Sequence, residues 1–346
     1  MPAIVLSLFT ILLWSTLTLL SSGLNHLPAF FSAGVALCIG GLVGLARVRE
    51  WRVPPWTFAL GLAGIFGYHA LFFLALRHAP AVEVNLLQYL WPLLIVVLSP
   101  LYLPGHRLGA HHLAGACLGL AGAALVISGG RLSLDPGHLT GYLLALGAAL
   151  TWSSYSLLTK RVRPFPTGAV GGFSLASGLL ALGLYGLERL AAPGAPLALA
   201  SRDWLFLALL GLGPMGLAFY TWDAAMKRGD PRVIGALAYL TPLLSTLLLV
   251  VVGGRRLTGL SACAMGLIVA GAILGSLDLF LPKHAGDAAG DGVGHGSRQH
   301  GRDPQPGQVA PAFRSQGADP AHLDGDAGKI GEAAKGERRD QPGLGA

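Results

Sequence analysis

The side chains in this sequence best suited to chemistry are aromatic and amide groups set inside apolar runs, and their chemistry is recognition rather than bond making. Asn85, Gln88 and Tyr89 fall at i, i+3 and i+4, so they share one helix face, which Pro92 continues at i+7. Amide and phenol groups facing lipid are expensive, so this face is expected to point into a helical bundle and line a wet cavity. Tyr68, Trp91, Trp152, Tyr155, Trp222 and Tyr239 lie equally deep in apolar stretches, beside small or polar neighbours. They are either ordinary core or a box for a flat or cationic solute. Pro92 and Pro242 sit near the middle of their stretches, where each removes a backbone donor and crowds the carbonyl one turn earlier. Both are expected to kink their helices.

The titratable groups form no reactive constellation. Glu83 stands near the start of its helix, where the helix dipole favours an acid. Asp223 precedes Lys227 by four residues, the spacing of a local ion pair near the membrane surface. These readings are preferred to proton coupling. His69 and the pair His111–His112 have no partners at metal-ligand spacing, and Cys38, Cys117 and Cys263 each lie alone in apolar runs. With no HExxH, GxSxG, P-loop or dinucleotide fingerprint, the sequence is read as a non-enzyme that needs no metal or cofactor.

The elements that must hold these residues are membrane helices. Hydrophobic residues make up 53% of the chain and charged ones 12%, about half the charged share of ordinary soluble domains. Ten apolar stretches reach the roughly 20 residues needed to cross a bilayer: 3–22, 28–46, 55–77, 81–103, 109–129, 138–160, 166–187, 203–226, 231–253 and 257–281. The first lacks a preceding Lys or Arg and is too long for a signal-peptide core, so it is read as a membrane helix. Trp51 and Trp56 flank helix ends and fit an interfacial belt. A cytoplasmic N-terminus puts more basic residues in the inside loops, Arg47, Arg49 and Arg52 among them, and predicts both termini inside. The excess of basic over acidic residues lies in these loops, with no aromatic-interleaved basic stripe, so nucleic acid is not an expected partner. From 283 to 346 aliphatic residues almost vanish, and a disordered cytoplasmic tail is expected.

The apolar part repeats. Leu13-Trp14-Ser15-Thr16 matches Thr151-Trp152-Ser153-Ser154, and Tyr89-Leu90-Trp91-Pro92-Leu93-Leu94 matches Tyr239-Leu240-Thr241-Pro242-Leu243-Leu244. Ala75 and Arg77 match Ala225 and Lys227 at the same offset. Five helices per unit is an odd number, so the second unit must enter the membrane inverted. The expected fold is therefore an all-α polytopic membrane protein of ten transmembrane helices, with inverted repeats at 1–136 and 137–282. Such repeats are typical of secondary transporters, whose substrate site lies between the halves. Gly115 and Gly119, and Gly271 and Gly275, have the small-xxx-small spacing of close backbone packing, either of helix 5 on helix 10 or at a dimer seam.

With these anchors, residues 3–281 resemble the EamA-domain drug/metabolite transporter superfamily. The segments 80–94 (PAVEVNLLQYLWPLL), 4–16 (IVLSLFTILLWST) and 151–156 (TWSSYS) are similar to its aromatic amino-acid exporter branch. The resemblance implies ten helices, cytoplasmic termini and a central cavity exporting aromatic and other neutral amino acids across a bacterial inner membrane. It also implies that Tyr68, Tyr89, Trp91, Trp152, Tyr155 and Tyr239 line that cavity. His69 stands where an acid occurs in a relative, and the acid often found before helix 5 is absent from the run Pro104-Gly105-His106-Arg107. The expected partners are a small-molecule solute and the bilayer, with the chain a monomer or homodimer. An exporter of drugs or other metabolites, and a non-transporting scaffold or sensor acting through its tail, are the alternatives.

Overall fold

Apolar runs of this length in hydrocarbon must satisfy their own backbone, and the helix does so within one segment. The computed structural model describes residues 2–105, 107–131, 135–192, 196–252 and 258–279, and every regular element among them is helical. In chain order the helices are α1 (Ala3–Ser22), α2 (Ala29–Val43), α3 (Pro55–His78), α4 (Ala81–Tyr102), α5 (Ala110–Ser128), α6 (Leu139–Arg161), α7 (Ala169–Ala191), α8 (Ser201–Arg228), α9 (Pro231–Val251) and α10 (Gly259–Gly275). Seven of them, all but α2, α6 and α10, are long and apolar enough to cross a membrane unaided. The chain is a multi-pass helical membrane protein. The expected tail, 283–346, lies outside the described residues.

The helices depart from the expected stretches where the sequence offers a reason. The stretch 28–46 ends as a helix at Val43, and Gly44 begins an 86° turn into a 3-10 segment, Leu45–Trp51. Three arginines within and after this segment favour leaving the apolar layer. Trp51 lies against Gly171 and Gly172 of α7, so it packs on protein, whereas Trp56 is 75% exposed. α6 is less apolar than its neighbours because it carries Thr151, Ser153, Ser154, Ser156 and Thr159.

The irregularities recur in both halves. α3 contains a π-turn at Ala63–Gly67 and α8 one at Gly213–Leu217. α4 is interrupted at Tyr89–Leu90, just ahead of Pro92, and α9 at Tyr239, just ahead of Pro242, the same distance downstream as the two π-turns. A proline ring clashes with the carbonyl four residues earlier, which places the strain where these breaks fall. The packing partners recur too. α5 packs on α10 and α2 on α7, while α3–α6 is matched by α8–α1 and α4–α6 by α9–α1. The α5–α10 contact needs its glycines: a Cβ on Gly115 would stand 2.6 Å from Gly275 Cα, and one on Gly271 would stand 2.6 Å from Gly115 O. Those two spaced glycine pairs therefore join α5 to α10 within one chain.

Candidate functional site

α1, α4, α6 and α8 each bring one tryptophan to a common point. Trp14 lies 5.8 Å from Trp91, 5.9 Å from Trp152 and 5.0 Å from Trp222, measured between ring centroids. Trp91 and Trp222 are 5.5 Å apart, and Trp152 stacks near-parallel to Trp222 at 6.4 Å. Edge-to-face and offset pairs of this kind are each worth about 0.5–1.5 kcal/mol beyond the area they bury. The backbone irregularities aim these rings. Trp14 precedes a break at Thr16, where Ser15 and Thr16 hydroxyls donate back to Leu12 and Leu13 carbonyls at 2.7 Å and so loosen the helix. Trp91 follows the break in α4. Trp14 Nε1 donates to the Pro214 carbonyl at 3.1 Å, an oxygen of the α8 π-turn, and Trp222 Nε1 donates to Ser156 Oγ at 3.0 Å.

Tyr68, Tyr155 and Phe219 surround Trp152 at 5.4, 5.6 and 5.5 Å. Gln88 Nε2 donates to the Tyr68 hydroxyl at 3.0 Å, and Tyr102 shares a hydrogen bond with Ser154 at 3.1 Å. Of the residues singled out from sequence, Tyr68, Gln88, Trp91, Trp152 and Tyr155 are thus brought together. In this conformation the rings close on one another: Trp91, Trp152 and Trp222 are 5%, 4% and 1% exposed. Two hollows, of about 460 and 550 Å³, lie elsewhere, one lined by Pro28, Arg77, Tyr185 and Glu188 and the other by His26, Leu199 and Asp203.

Asn85, Tyr89 and Tyr239 are placed differently. Asn85 Nδ2 donates at 2.7 Å to the Ala81 carbonyl of its own helix. Tyr89 and Tyr239 belong to a separate apolar cluster with Val96, Ala116, Leu243 and Ile268. Tyr239 is fully buried, and its hydroxyl enters the break in α4, accepting from Leu93 N–H at 3.1 Å and donating to the Tyr89 carbonyl at 3.2 Å. Those two groups would otherwise have bonded each other in a continuous helix, so the hydroxyl serves both sides of the gap.

The charged groups are more connected than their spacing implied. Glu83 accepts a hydrogen bond from Tyr142 of α6 and stands 3.9 Å from His138. Asp223 does pair with Lys227, at 2.7 Å in the last turns of α8, with Asp223 only 2% exposed and Lys227 partly buried. His69 Nδ1 lies 2.7 Å from the Ile65 carbonyl. His111 and His112, which have no partner within their own stretch of sequence, meet Asp278 at 2.7 and 3.0 Å, with Arg232 3.8 Å from the same carboxylate. These three residues are close enough to hold a metal ion. However, Gly109 N–H donates to His112 Nδ1 at 3.2 Å, so neutral His112 carries its proton on the nitrogen facing Asp278, and the Arg232 cation stands beside it. That arrangement, in which His111 bonds Asp278 and His112 and Arg232 stand near the same carboxylate, fits a charge cluster better than a ligand set.

Trp222, one of the deep aromatics named from sequence, joins the cluster, and Trp14 completes it without having been singled out as a site residue. Trp14 had a signal, because the internal repeat pairs it with Trp152.

A buried aromatic centre stands at the junction of α1, α4, α6 and α8 in the bundle of this polytopic membrane protein. The model of the EamA-like transporter family matches residues 1–128 and again 139–277, and the chain belongs to that family. It is 42% identical over 277 residues to the aromatic amino acid exporter YddG of Ancylobacter novellus, covering 77% of this chain and 94% of that protein. It is 26% identical over 266 residues to the aromatic amino acid exporter YddG of Escherichia coli, covering 71% and 87%. A protein of Salmonella typhimurium named as a probable amino-acid metabolite efflux pump is 25% identical over 278 residues, covering 77% and 92%. A solved crystal structure 42% identical in sequence superposes with a TM-score of 0.73, covering 80% of this chain and 97% of that one.

Proposed function

We propose that this protein is a secondary exporter of the bacterial inner membrane that moves aromatic and other neutral amino acids by alternating access. The observation that carries this reading is the tryptophan cluster. It draws Trp14 and Trp91 from the first half of the chain and Trp152 and Trp222 from the second, so any rocking of one half against the other opens or closes it. The solute's flat side chain inserts among the rings, and polar groups at the margin receive its charged end. The names of the relatives at 42% and 26% identity support amino acids as cargo.

In this reading all ten helices cross the membrane as two inverted five-helix units, 1–136 and 137–282, with both termini cytoplasmic. The repeated π-turns, helix breaks and packing partners support the pairing of the units. α2 crosses with the help of its bent 3-10 extension, and α6 because its hydroxyls bond within the bundle, as Ser153 does to the Ala149 carbonyl at 2.8 Å.

The test is counterflow in proteoliposomes loaded with phenylalanine, against a panel of labelled amino acids, quaternary amines and sugars. The reading expects phenylalanine and tryptophan to accumulate fastest. Preference for quaternary amines or sugars would assign the protein to another branch of the family.

A further inference from the structure

Two of the four clustered indoles have their N–H groups committed, and two do not. Trp14 Nε1 donates to the Pro214 carbonyl and Trp222 Nε1 to Ser156 Oγ. Trp152 Nε1 and Trp91 Nε1 donate to no described residue, although the two residues are only 4% and 5% exposed. An indole N–H can only donate, and when buried it usually finds an acceptor. The repeat makes the exception at Trp152 plain. It matches Trp14 to Trp152, and it matches Pro214 to Gly64 of the α3 π-turn at the offset that matches Ala225 to Ala75. Strict symmetry would therefore seat the Trp152 N–H on the Gly64 carbonyl. Instead Tyr155 takes the place beside Gly64, its Cγ 2.3 Å from where a Cβ would stand.

The ring that carries this open donor is enclosed by the aromatic centre. Trp14, Trp222, Tyr68, Tyr155 and Phe219 all stand within 6.4 Å of the Trp152 ring, centroid to centroid. The polar atoms nearest these rings are already engaged: the Tyr68 hydroxyl accepts from Gln88, and Ser156 Oγ accepts from Trp222. A partner for the Trp152 N–H must be an acceptor. A carboxylate gains most, because hydrogen bonds to an ionised acceptor are about twice as strong as neutral ones. A solute ammonium gains nothing from a group that only donates.

We infer that the indole N–H of Trp152, assisted by that of Trp91, receives the carboxylate of the solute. The protein then selects flat apolar rings that carry a carboxylate and discriminates against aromatic amines that lack one. The inference rests on the reading of the tryptophan cluster as a solute site. It divides the four tryptophans by role. Trp14 and Trp222 spend their N–H groups tying α1 to α8 and α8 to α6, whereas Trp152 and Trp91 keep theirs for the solute.

Isothermal titration calorimetry on the purified full-length protein in nanodiscs tests this with two probes, phenylalanine and phenethylamine, which differ only by the carboxylate. Wild type is expected to bind phenylalanine at least about tenfold more tightly, the gain that accompanies one charge-assisted hydrogen bond. Trp152→Phe keeps a ring and removes the N–H, so it should cut that preference at least about threefold. Adding Trp91→Phe should abolish it. Trp14→Phe removes an N–H already spent on Pro214, and should weaken both probes alike while the preference stays. If Trp152→Phe does not fold, benzothienylalanine at position 152, with sulfur for the N–H, keeps the ring's size and makes the same test. Equal binding of the two probes by wild type would overturn the inference. So would a preference that survives in the double variant, or one that Trp14→Phe erases as fully as Trp152→Phe does. If the Trp152-dependent preference is found but labelled phenylalanine does not cross liposomes, the exporter reading fails and the subsite stands. If phenylalanine crosses and the preference is absent, the subsite fails alone.

Discussion

Replacing Tyr239 with Phe removes one oxygen from a fully buried ring and leaves the ring's packing against Gly119 in place. That oxygen holds both groups exposed by the break in α4, at 3.1 Å from Leu93 N–H and 3.2 Å from the Tyr89 carbonyl. Without it a donor and an acceptor are orphaned in a dry interior. Each orphaned group costs about 1–3 kcal/mol in soluble proteins, while side-chain hydrogen bonds within membrane bundles average nearer 0.6 kcal/mol each. The smaller figure applies if α4 can straighten and let Leu93 bond Tyr89 directly. Straightening is opposed by Pro92, so with two groups orphaned Tyr239→Phe should destabilise the protein by roughly 2–6 kcal/mol. Equilibrium unfolding in mixed micelles, followed by intrinsic fluorescence, measures this. Because Trp91 follows the break immediately, the variant should also weaken phenylalanine binding. A Tyr239→Phe protein as stable as wild type, within about 0.3 kcal/mol, would refute the assignment of Tyr239 as the bridge across the α4 break.

Further outcomes follow from the same contacts. Gly271→Val should prevent accumulation of folded protein, since even a Cβ there stands 2.6 Å from Gly115 O and Gly119 N; recovery in detergent by size-exclusion chromatography reads this. Lys227→Met strands the buried Asp223 carboxylate and should cost about 3–5 kcal/mol in the same unfolding assay. Arg77→Ala breaks a 2.6 Å pair whose side chains are 50% and 37% exposed, and should cost no more than about 1 kcal/mol. A chain ending at 282 should keep wild-type flux in liposomes, because the family match stops at 277; loss of flux would favour a tail-dependent scaffold or sensor.

The periodic features were the legible ones. Alternation of long apolar runs with short basic loops located the helices to within a few residues, and the Trp-Ser and Tyr-Leu-x-Pro anchors paired the halves. Trp91, Trp152, Tyr68 and Tyr155 could be found because their depth in apolar helices is a local property. What could not be read was long-range. Whether Tyr239 faced solute or backbone depended on the gap in α4, whose hydroxyl partner comes from α9. Asp278 joins His111 and His112 across the length of the chain, so no spacing rule reveals that cluster. The i, i+4 spacing of Asp223 and Lys227 announced their pairing but not the burial of Asp223, whose carboxylate meets Thr167 on the segment joining α6 to α7. Asn85 shared a face with Gln88 in the helical pattern, yet its short side chain turned back to its own backbone, as Asn often does.

The central claim is that the tryptophan cluster is the solute site, and labelled phenylalanine counterflow with Trp91→Ala and Trp152→Ala measures it most directly. Both variants should fall at least about tenfold below wild type, since each loses stacking contacts worth roughly 1–3 kcal/mol around the solute. A matched Trp56→Ala control, at an exposed ring outside the bundle, should keep its flux. Wild-type rates in both cluster variants would contradict the account.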